Sequence, residues 1–440
     1  MITVYMHKNQ IARRNRLITV LLSVSAYLIL SWHSAFAGDA LTLKDVLARI
    51  LRSNPEIKSS ERSFKAANAR IWQAASLEDP LVEMEYDKLF ADRMLTGEPM
   101  KTYALSQEVP FPTKLFLRAK IAAKQAKTAY EGYKAKERDL LSRGKSGYSE
   151  LILIYKSIEI MKEQKGLLEQ FSASATSRYA AAKGSQADAL KAQVELARVD
   201  SQLIMLEQKR LTAQARLNVL MNRDPKEEIG PPSIEEPVNF TRSLEDLYAA
   251  ARVNNPEIKA YRYAIERGQA AYDLSLNEFM PDFMIKFKQM VNRDRVDENA
   301  WSGMLGVTIP LWFFQKQAFG VKEMKEELEM ARAEYKAKEN NVLFDIRDAY
   351  ARVEANRKIA ELYETAFIPQ AEETLKTSLR GYESDKTDFL TLLDSQRMLT
   401  EFKLDHYRAI LDLRVALADL ERAAGADINE ALQRGAYEKK

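Results

Sequence analysis

Two periods of apolar residues run along this chain, and each predicts a different element. In the first, apolar or small residues fall alternately three and four positions apart. The clearest case is Leu392, Ser395, Leu399, Phe402, His406, Ala409, Leu413, Ala416 and Leu420, a heptad seam of the coiled-coil kind. A weaker seam of the same spacing runs through Leu190, Val194, Ala197, Ser201, Ile204, Gln208, Leu211 and Ala215. Residues 113–177 carry no proline and predict a helix ~100 Å long at ~1.5 Å per residue. Long helices are therefore predicted over 113–177 and 187–221, and again over 315–378 and 382–424, with Pro369 marking a break or kink. Helices of this length do not fold back into a globule. They pack side by side as an extended coiled-coil rod or tube.

The second period is strict alternation. Val82, Met84 and Tyr86 alternate with Glu83, Glu85 and Asp87, and Tyr103, Leu105 and Val109 with Thr102, Ser106 and Glu108. Phe283, Ile285, Phe287 and Val291 alternate with Lys286 and Lys288, and Trp301, Leu305, Val307 and Ile309 with Ser302, Gly306 and Thr308. Strands are predicted over 80–88, 101–109, 282–291 and 301–309. Each has the length of a transmembrane β-strand, about 9–11 residues, with aromatics near its ends. The polar stretches 90–100 and 292–299 then read as outer loops. A soluble hairpin packed on a core shows the same alternation, so the pattern leaves both readings open.

The two periods occur twice in the same order. Leu43, Asp45 and the run Asn54-Pro55-Glu56-Ile57-Lys58 recur as Leu244, Asp246 and Asn255-Pro256-Glu257-Ile258-Lys259. Pro80 matches Pro281 at the same offset, and Val109-Pro110 matches Ile309-Pro310 one residue short. Tyr179 and Gln193 match Tyr382 and Gln396 two residues further on. Colinear matches with small indels predict a duplicated chain. The first repeat covers 38–223, a proline-rich linker 224–239, the second repeat 240–426, and a tail 427–440. In each repeat a short helix ends at the Asn-Pro pair, because proline disfavours helix in the residue before it. A second helix, two strands and two long helices follow.

The N-terminus reads as a secretory signal peptide over 1–37. Lys8, Arg13, Arg14 and Arg16 precede an apolar run from Leu17 to Leu30, and Ala35-Phe36-Ala37 supplies a small-x-small cleavage site. Cleavage would remove those four charges and turn the formal +3 into −1, so the basic balance points to no nucleic-acid partner. His7 and His33 would leave too, and His406 on the heptad seam reads as a packed residue. The absence of cysteine excludes disulfides and thiolate metal sites. No Gly-rich phosphate loop, zinc-ligand pair or nucleophile motif is present. The chain therefore reads as non-enzymatic, with no catalytic residue, no cofactor and no metal site.

If the strands span a membrane, one chain cannot suffice. Four strands leave open edges, unpaired backbone groups in lipid cost several kcal/mol each, and barrels begin at about eight strands. Several copies must share one barrel; the strand count alone does not choose three over two or four.

Several local motifs carry a resemblance. Residues Gln107 to Leu115, QEVPFPTKL, and Ile309-Pro310-Leu311-Trp312 resemble the strand-to-helix turns of the TolC-like outer-membrane efflux family, in particular its CusC/CzcC-like heavy-metal and drug efflux branch; Thr113 stands where that branch usually has glycine. Ile368-Pro369-Gln370-Ala371 and the stretch from Gly381 to Arg397 resemble the family's periplasmic tip. The resemblance covers nearly all of the chain after the signal. It implies a mainly α fold with a small β part, built as a homotrimer. Long helices would form an α-barrel and the strands a transmembrane β-barrel of about twelve strands, in the outer membrane with a long periplasmic extension. The implied partners are outer-membrane lipid, a periplasmic adaptor and an inner-membrane pump, of the RND type in this branch. Metal ions and small toxic molecules are the expected cargo. A protein-secretion duct and an adaptor-like coiled-coil protein are the alternatives.

A conduit needs a gate, and in a symmetric trimer each acid facing the axis becomes a ring that repels itself and binds cations. The resemblance places Asp394 at the periplasmic constriction and Thr391 where the family's second acid would stand. Asp388 lies nearby, and Asp188 sits by the matching turn of the first repeat. Solvated acids at helix starts explain the same residues without a gate. Arg178, Tyr179, Gly184, Arg380, Gly381 and Tyr382 are expected in the two tip turns, as candidates for adaptor contact. Glu83, Glu85, Asp87 and Glu108, offset by Lys286 and Lys288, are expected to line the barrel lumen.

Overall fold

The computed structural model describes residues 41–86, 101–233, 240–291 and 300–427. The signal segment, Asp87, both strand-connecting loops, the end of the linker and most of the tail lie outside these residues. Described elements run in the order α1 (Leu43–Ser53), α2 (Pro55–Ala75), β1 (Leu81–Tyr86), β2 (Lys101–Val109), α3 (Pro112–Ala180) and α4 (Gln186–Leu220). The second series is α5 (Leu244–Asn254), α6 (Pro256–Asn277), β3 (Asp282–Val291), β4 (Ala300–Thr308), α7 (Lys316–Leu362), α8 (Ile368–Glu383) and α9 (Phe389–Ala424). A π-helical turn, Tyr363–Phe367, joins α7 to α8.

The Asn-Pro pairs act alike in both series. Asn54 caps α2, its side chain accepting from the backbone N–H of Glu56 and Ile57, with Pro55 at the first helical position. Asn255 caps α6 through Glu257 and Ile258. Proline is suited to that position because its missing N–H would have no helical partner there.

The chain folds as two compact units. One contains α2, the strands, α5, α6, α7, the first half of α3 and the end of α9. Its strands form one antiparallel sheet in the order β1-β2-β3-β4. The register aligns Val82 with Leu105, Leu105 with Phe287, and Ile285 with Leu305. Because side chains alternate across a sheet, this register gathers every apolar series on one face. At the helical end of the sheet, Lys114 is buried against Asp282 at 2.9 Å and Glu278 at 3.6 Å. The backbone N–H of Phe111 donates to Asp282. Thr113 donates to Asn277 at 2.6 Å, a tie between the two repeats that glycine would not make. Leu247, Ile258, Val342, Ile346, Ala416 and Leu420 form the core of the adjoining helices.

The other unit contains the second half of α3, α4, α8 and the first part of α9. These form two antiparallel helical hairpins, α3/α4 and α8/α9, around a core of Met161, Leu168, Phe171, Ala192, Val199, Tyr382, Phe389 and Leu392. Tyr148 of α3 is buried, its hydroxyl 2.7 Å from the carbonyl of Leu41 and 2.8 Å from that of Ser233.

The break or kink expected at Pro369 lies beside a π-helical turn, Tyr363–Phe367, and the helical path continues through it. Two expectations are corrected here. The helix expected to begin at Tyr382 begins at Phe389, because α8 runs on to Glu383. The weaker seam of α4 is its outer one: Leu190, Val194, Ile204 and Leu211 are exposed, and the buried stripe runs through Ala189, Ala192, Val199, Ala213 and Leu217. This helix carries two apolar stripes, and spacing alone cannot say which one its own chain covers.

Candidate functional site

The ends of the two hairpins form one structural theme used twice. In each, the helix closes with a residue in the left-handed region, Ala182 (φ 56°) and Asp385 (φ 57°). The N–H of Lys183 donates to Arg178 O at 2.8 Å, and that of Lys386 to Gly381 O at 2.8 Å. The N–H groups of Ala182 and Asp385 donate to Tyr179 O and Tyr382 O. This is the Schellman closure of a helix C-terminus. The next helix starts on a polar cap: Ser185 accepts from the N–H of Ala187, and Asp388 from the N–H of Thr391 at 3.1 Å.

Helix closure at Ala180 and at Glu383, later than expected in both hairpins, places Arg178 and Tyr179 in the last turn of α3 and Arg380, Gly381 and Tyr382 in the last turns of α8. Of the residues expected in the tip turns, Gly184 alone lies between helices. Gly381 is required by packing: a Cβ there would lie 2.2 Å from Thr387 Oγ1. At Gly184 a Cβ would meet the Arg178 Cβ at 3.1 Å. Tyr179 and Arg380 are exposed and Tyr382 is buried.

The two turns are tied together through Arg178. Its guanidinium forms a salt bridge with Asp385 and lies 4.9 Å from the centroid of the Tyr382 ring, a cation–π contact. Burial pushes the Tyr382 hydroxyl pKa up, with Arg178 opposing and Asp188 reinforcing the shift. Asp188 lies in the first turn of α4.

Of the gate candidates, Thr391 and Asp388 are joined to each other. The Thr391 hydroxyl donates to Asp388, and this bond with the Thr391 N–H lowers the pKa of the Asp388 carboxyl. These contacts are those of a helix cap. Asp394 is different. Its exposed carboxylate accepts from Arg397 Nη1 at 3.3 Å, and the same guanidinium reaches Glu195 of α4, with Nε 3.2 Å from Oε2. The Glu195 side chain is only 10% exposed, against 59% for Asp394. Arg397 thus joins hairpin α3/α4 to hairpin α8/α9. A second link lies deeper, where Gln164 Nε2 donates to Gln396 Oε1 at 3.2 Å.

Glu195, Arg397 and Asp385 were not among the residues singled out in the sequence. One signal pointed to Glu195: an acid on the same stripe as Ala192 and Val199. Asp385 had no such signal, since its role depends on a left-handed backbone.

On the sheet, Glu83, Glu85, Glu108, Lys286 and Lys288 share the face opposite the apolar one, as the register requires. Lys286 forms an ion pair with Glu83. Asp87 lies outside the described residues. Among the described residues no three His, Asp or Glu side chains converge as a metal site. Among them, no helix is long and apolar enough to cross a membrane.

Comparison with known proteins agrees with this architecture. The cobalt-zinc-cadmium resistance protein CzcC of Cupriavidus metallidurans is 21% identical over 395 residues, which span 88% of this chain and 91% of that one. The fold is similar to that of CusC, described as a transmembrane channel, with a TM-score of 0.78 at 14% identity over 90% of this chain and 94% of that one. It is also similar to the outer membrane protein VceC of Vibrio cholerae, with a TM-score of 0.75 at 16% identity over 88% and 97% of the two chains. The model of the outer membrane efflux protein family matches residues 46–223 and 247–426, one segment in each half. With both halves matched over most of their length, this chain belongs to the outer membrane efflux protein family.

Proposed function

We propose that three copies of this chain form the passive outer-membrane duct of a tripartite efflux system, fed by a periplasmic adaptor and an inner-membrane pump of the RND type. The sheet carries this reading. It is apolar on one face and polar on the other, and its end strands β1 and β4 have no further strand beside them among the described residues. In lipid each unpaired backbone group costs several kcal/mol. Pairing β1 of one copy with β4 of the next removes both edges, and three copies make a barrel of about twelve strands. The exposed stripe of α4, with Ile204 and Leu211, supports copy-to-copy contact in the helical part as well.

The polar face of the sheet then lines the lumen, with Glu83, Glu85, Glu108, Lys286 and Lys288. Asp394, repeated in each copy, forms the acidic ring of the gate. Thr391, Asp388 and Asp188 order the helix starts around it. The exposed Tyr179, Gly184 and Arg380 offer the tip surface to the adaptor. Arg178, Gly381 and Tyr382 hold that surface in shape. Metal ions or small toxic molecules are the cargo this reading favours, in line with the similarity to the cobalt-zinc-cadmium resistance protein CzcC.

The test is direct. The mature protein should migrate as a heat-resistant trimer from outer-membrane fractions and conduct ions in planar bilayers. Asp394→Ala should raise single-channel conductance. A water-soluble monomer with no conductance would overturn the duct; unchanged conductance in Asp394→Ala would remove that residue from the gate.

A further inference from the structure

The unit that carries the sheet holds a cavity of about 610 Å³ bordered by α2, α3, α6 and α7. These helices stand in a row. Phe64 of α2 meets Tyr130 of α3, with ring centroids 5.2 Å apart. Lys120 and Lys124 of α3 pair with Asp273 and Glu266 of α6. Gly268 of α6 lies against α7, where a Cβ would come within 3.3 Å of Leu328 Cδ1. Packed helices lie about 8–10 Å apart, so a flat row of four is roughly 24–30 Å across, too wide to share one cavity of this size. The row therefore bends, and the cavity lies on its concave side. Where such a row forms part of a tube wall, that side faces the lumen.

The charges on this cavity are arranged unlike those beside it. Arg70 of α2, Arg118 of α3 and Arg267 of α6 border it, with Glu327 and Glu334 on α7. Among the described residues none of these charges belongs to an ion pair, whereas the lysines of the α3/α6 seam are paired. Arg267 is oriented by Gln125, to which its Nη1 donates at 2.6 Å. Between the arginines and the glutamates the lining is apolar, with Ile121, Ala264 and Met330. We infer that this cavity is a lumenal binding site for a small organic anion, a carboxylate or sulfonate with an apolar body. The inference rests on the duct reading for its lumenal placement. Guanidinium groups present paired N–H donors that match such oxyanions, and here they come from three helices to one space. The apolar lining shields the body of the ligand, and the two glutamates keep its anionic group at the α2, α3 and α6 side. The site lies in the unit that carries the sheet, not in the unit of Asp394, so it is separate from the acidic ring proposed for the gate.

The chain contains no cysteine, so Gln73→Cys in the full mature protein places a single thiol on the cavity lining. That thiol is modified with anionic 2-sulfonatoethyl or cationic 2-trimethylammonioethyl methanethiosulfonate. Relative to free cysteine, the anionic reagent should react faster than the cationic one. Added 1-naphthalenesulfonate should slow the reaction, while 1-naphthylmethanol, the same body without the charge, and inorganic sulfate, the charge without the body, should not. Arg70→Gln/Arg118→Gln should raise the naphthalenesulfonate concentration needed for protection by roughly tenfold or more. Glu327→Gln should lower it, a gain that misfolding cannot mimic. Equal protection by naphthylmethanol overturns the inference in favour of an apolar cleft, and equal protection by sulfate in favour of a basic surface. Faster reaction of the cationic reagent, no protection, or no reaction with either reagent overturns it too, as does an unchanged requirement in Arg70→Gln/Arg118→Gln. Conductance of the Gln73→Cys protein in planar bilayers tests the duct separately. A conducting protein without protection lacks the site alone; a protected protein that does not conduct overturns the duct reading and the lumenal placement, and leaves the anion site standing.

Discussion

Arg397→Ala tests whether the two hairpins are latched at the tip. Arg397 touches both Glu195 and Asp394. Removing it leaves Asp394 largely solvated, at little cost, but leaves the Glu195 carboxylate, on a side chain only 10% exposed, with the longer 4.0 Å contact to Arg198. Breaking a fully buried pair costs about 3–5 kcal/mol. Arg397 itself is 39% exposed, so water screens part of the interaction, and a loss of about 2 kcal/mol is expected for this contact. If opening parts hairpin α8/α9 from α3/α4, the contact exists only in the closed tip. Its loss then shifts the closed-to-open equilibrium by about thirtyfold. The assay is single-channel recording of wild type, Arg397→Ala and Arg397→Lys, with thermal unfolding alongside. Open-state occupancy should rise strongly in Arg397→Ala and less in Arg397→Lys, whose ammonium still reaches one carboxylate. If Arg397→Ala lowers thermal stability and leaves open-state occupancy at the wild-type value, the pair is structural and the latch argument fails.

Three further outcomes follow from the same geometry. Gly381→Ala should destabilise the tip by about 1–3 kcal/mol and speed proteolysis near Asp385; adding Thr387→Ala, which removes the hydroxyl 2.2 Å from the new Cβ, should restore most of the loss. His406 is half-buried in α9, and burial lowers its imidazole pKa against a smaller opposing effect of Glu364. The folded protein therefore resists protonation, so stability should fall as pH drops below the ordinary imidazole value of 6.5, and His406→Gln should flatten that fall in thermal melts at pH 7 and pH 5. Lys286→Gln removes the cation paired with Glu83, which should make the lumen more acidic and raise cation over anion permeability in reversal-potential measurements.

Legibility in the sequence followed the range of the interaction. The Asn-Pro helix starts were readable because the cap is local: Asn54 and Asn255 each reach N–H groups two and three residues on. The two faces of the sheet were readable because alternation in each strand fixes them before any pairing is known. The apolar seam of α9 was readable because it is the dominant stripe of that helix. The rest was hidden where two solutions are equal on paper. In α4 the packed and exposed stripes have the same period. Gly381 was expected within the turn, yet the chain turns at Asp385, and Gly381 serves to admit the Thr387 side chain. The Glu195–Arg397 pair joins parts of the chain that no local pattern relates.

The distribution of polar contacts suggests how such a tip can be both firm and able to part. The core of this unit is apolar and includes residues of both hairpins, among them Phe171, Val199, Phe389 and Leu392. The links between hairpins set among them are polar: Arg178 to Asp385, Gln164 to Gln396, and Glu195 to Arg397. A polar link exchanges its partner for water at a net cost near 1 kcal/mol, because water replaces most of what is lost. Exposing a buried leucine or phenylalanine costs about 1.5–3 kcal/mol with no such replacement. Gln164 Oε1 is buried without a hydrogen-bond partner, so the closed arrangement leaves one acceptor unsatisfied that water would satisfy on parting. Separation of the hairpins is therefore eased at the polar links and opposed where residues of both hairpins share the apolar core. The prediction contained in this arrangement is that Gln164→Leu, which fills the layer and removes the unsatisfied acceptor, should stabilise the closed tip and lower open-state occupancy. An increase in occupancy would show that the layer does not lie on the plane of opening.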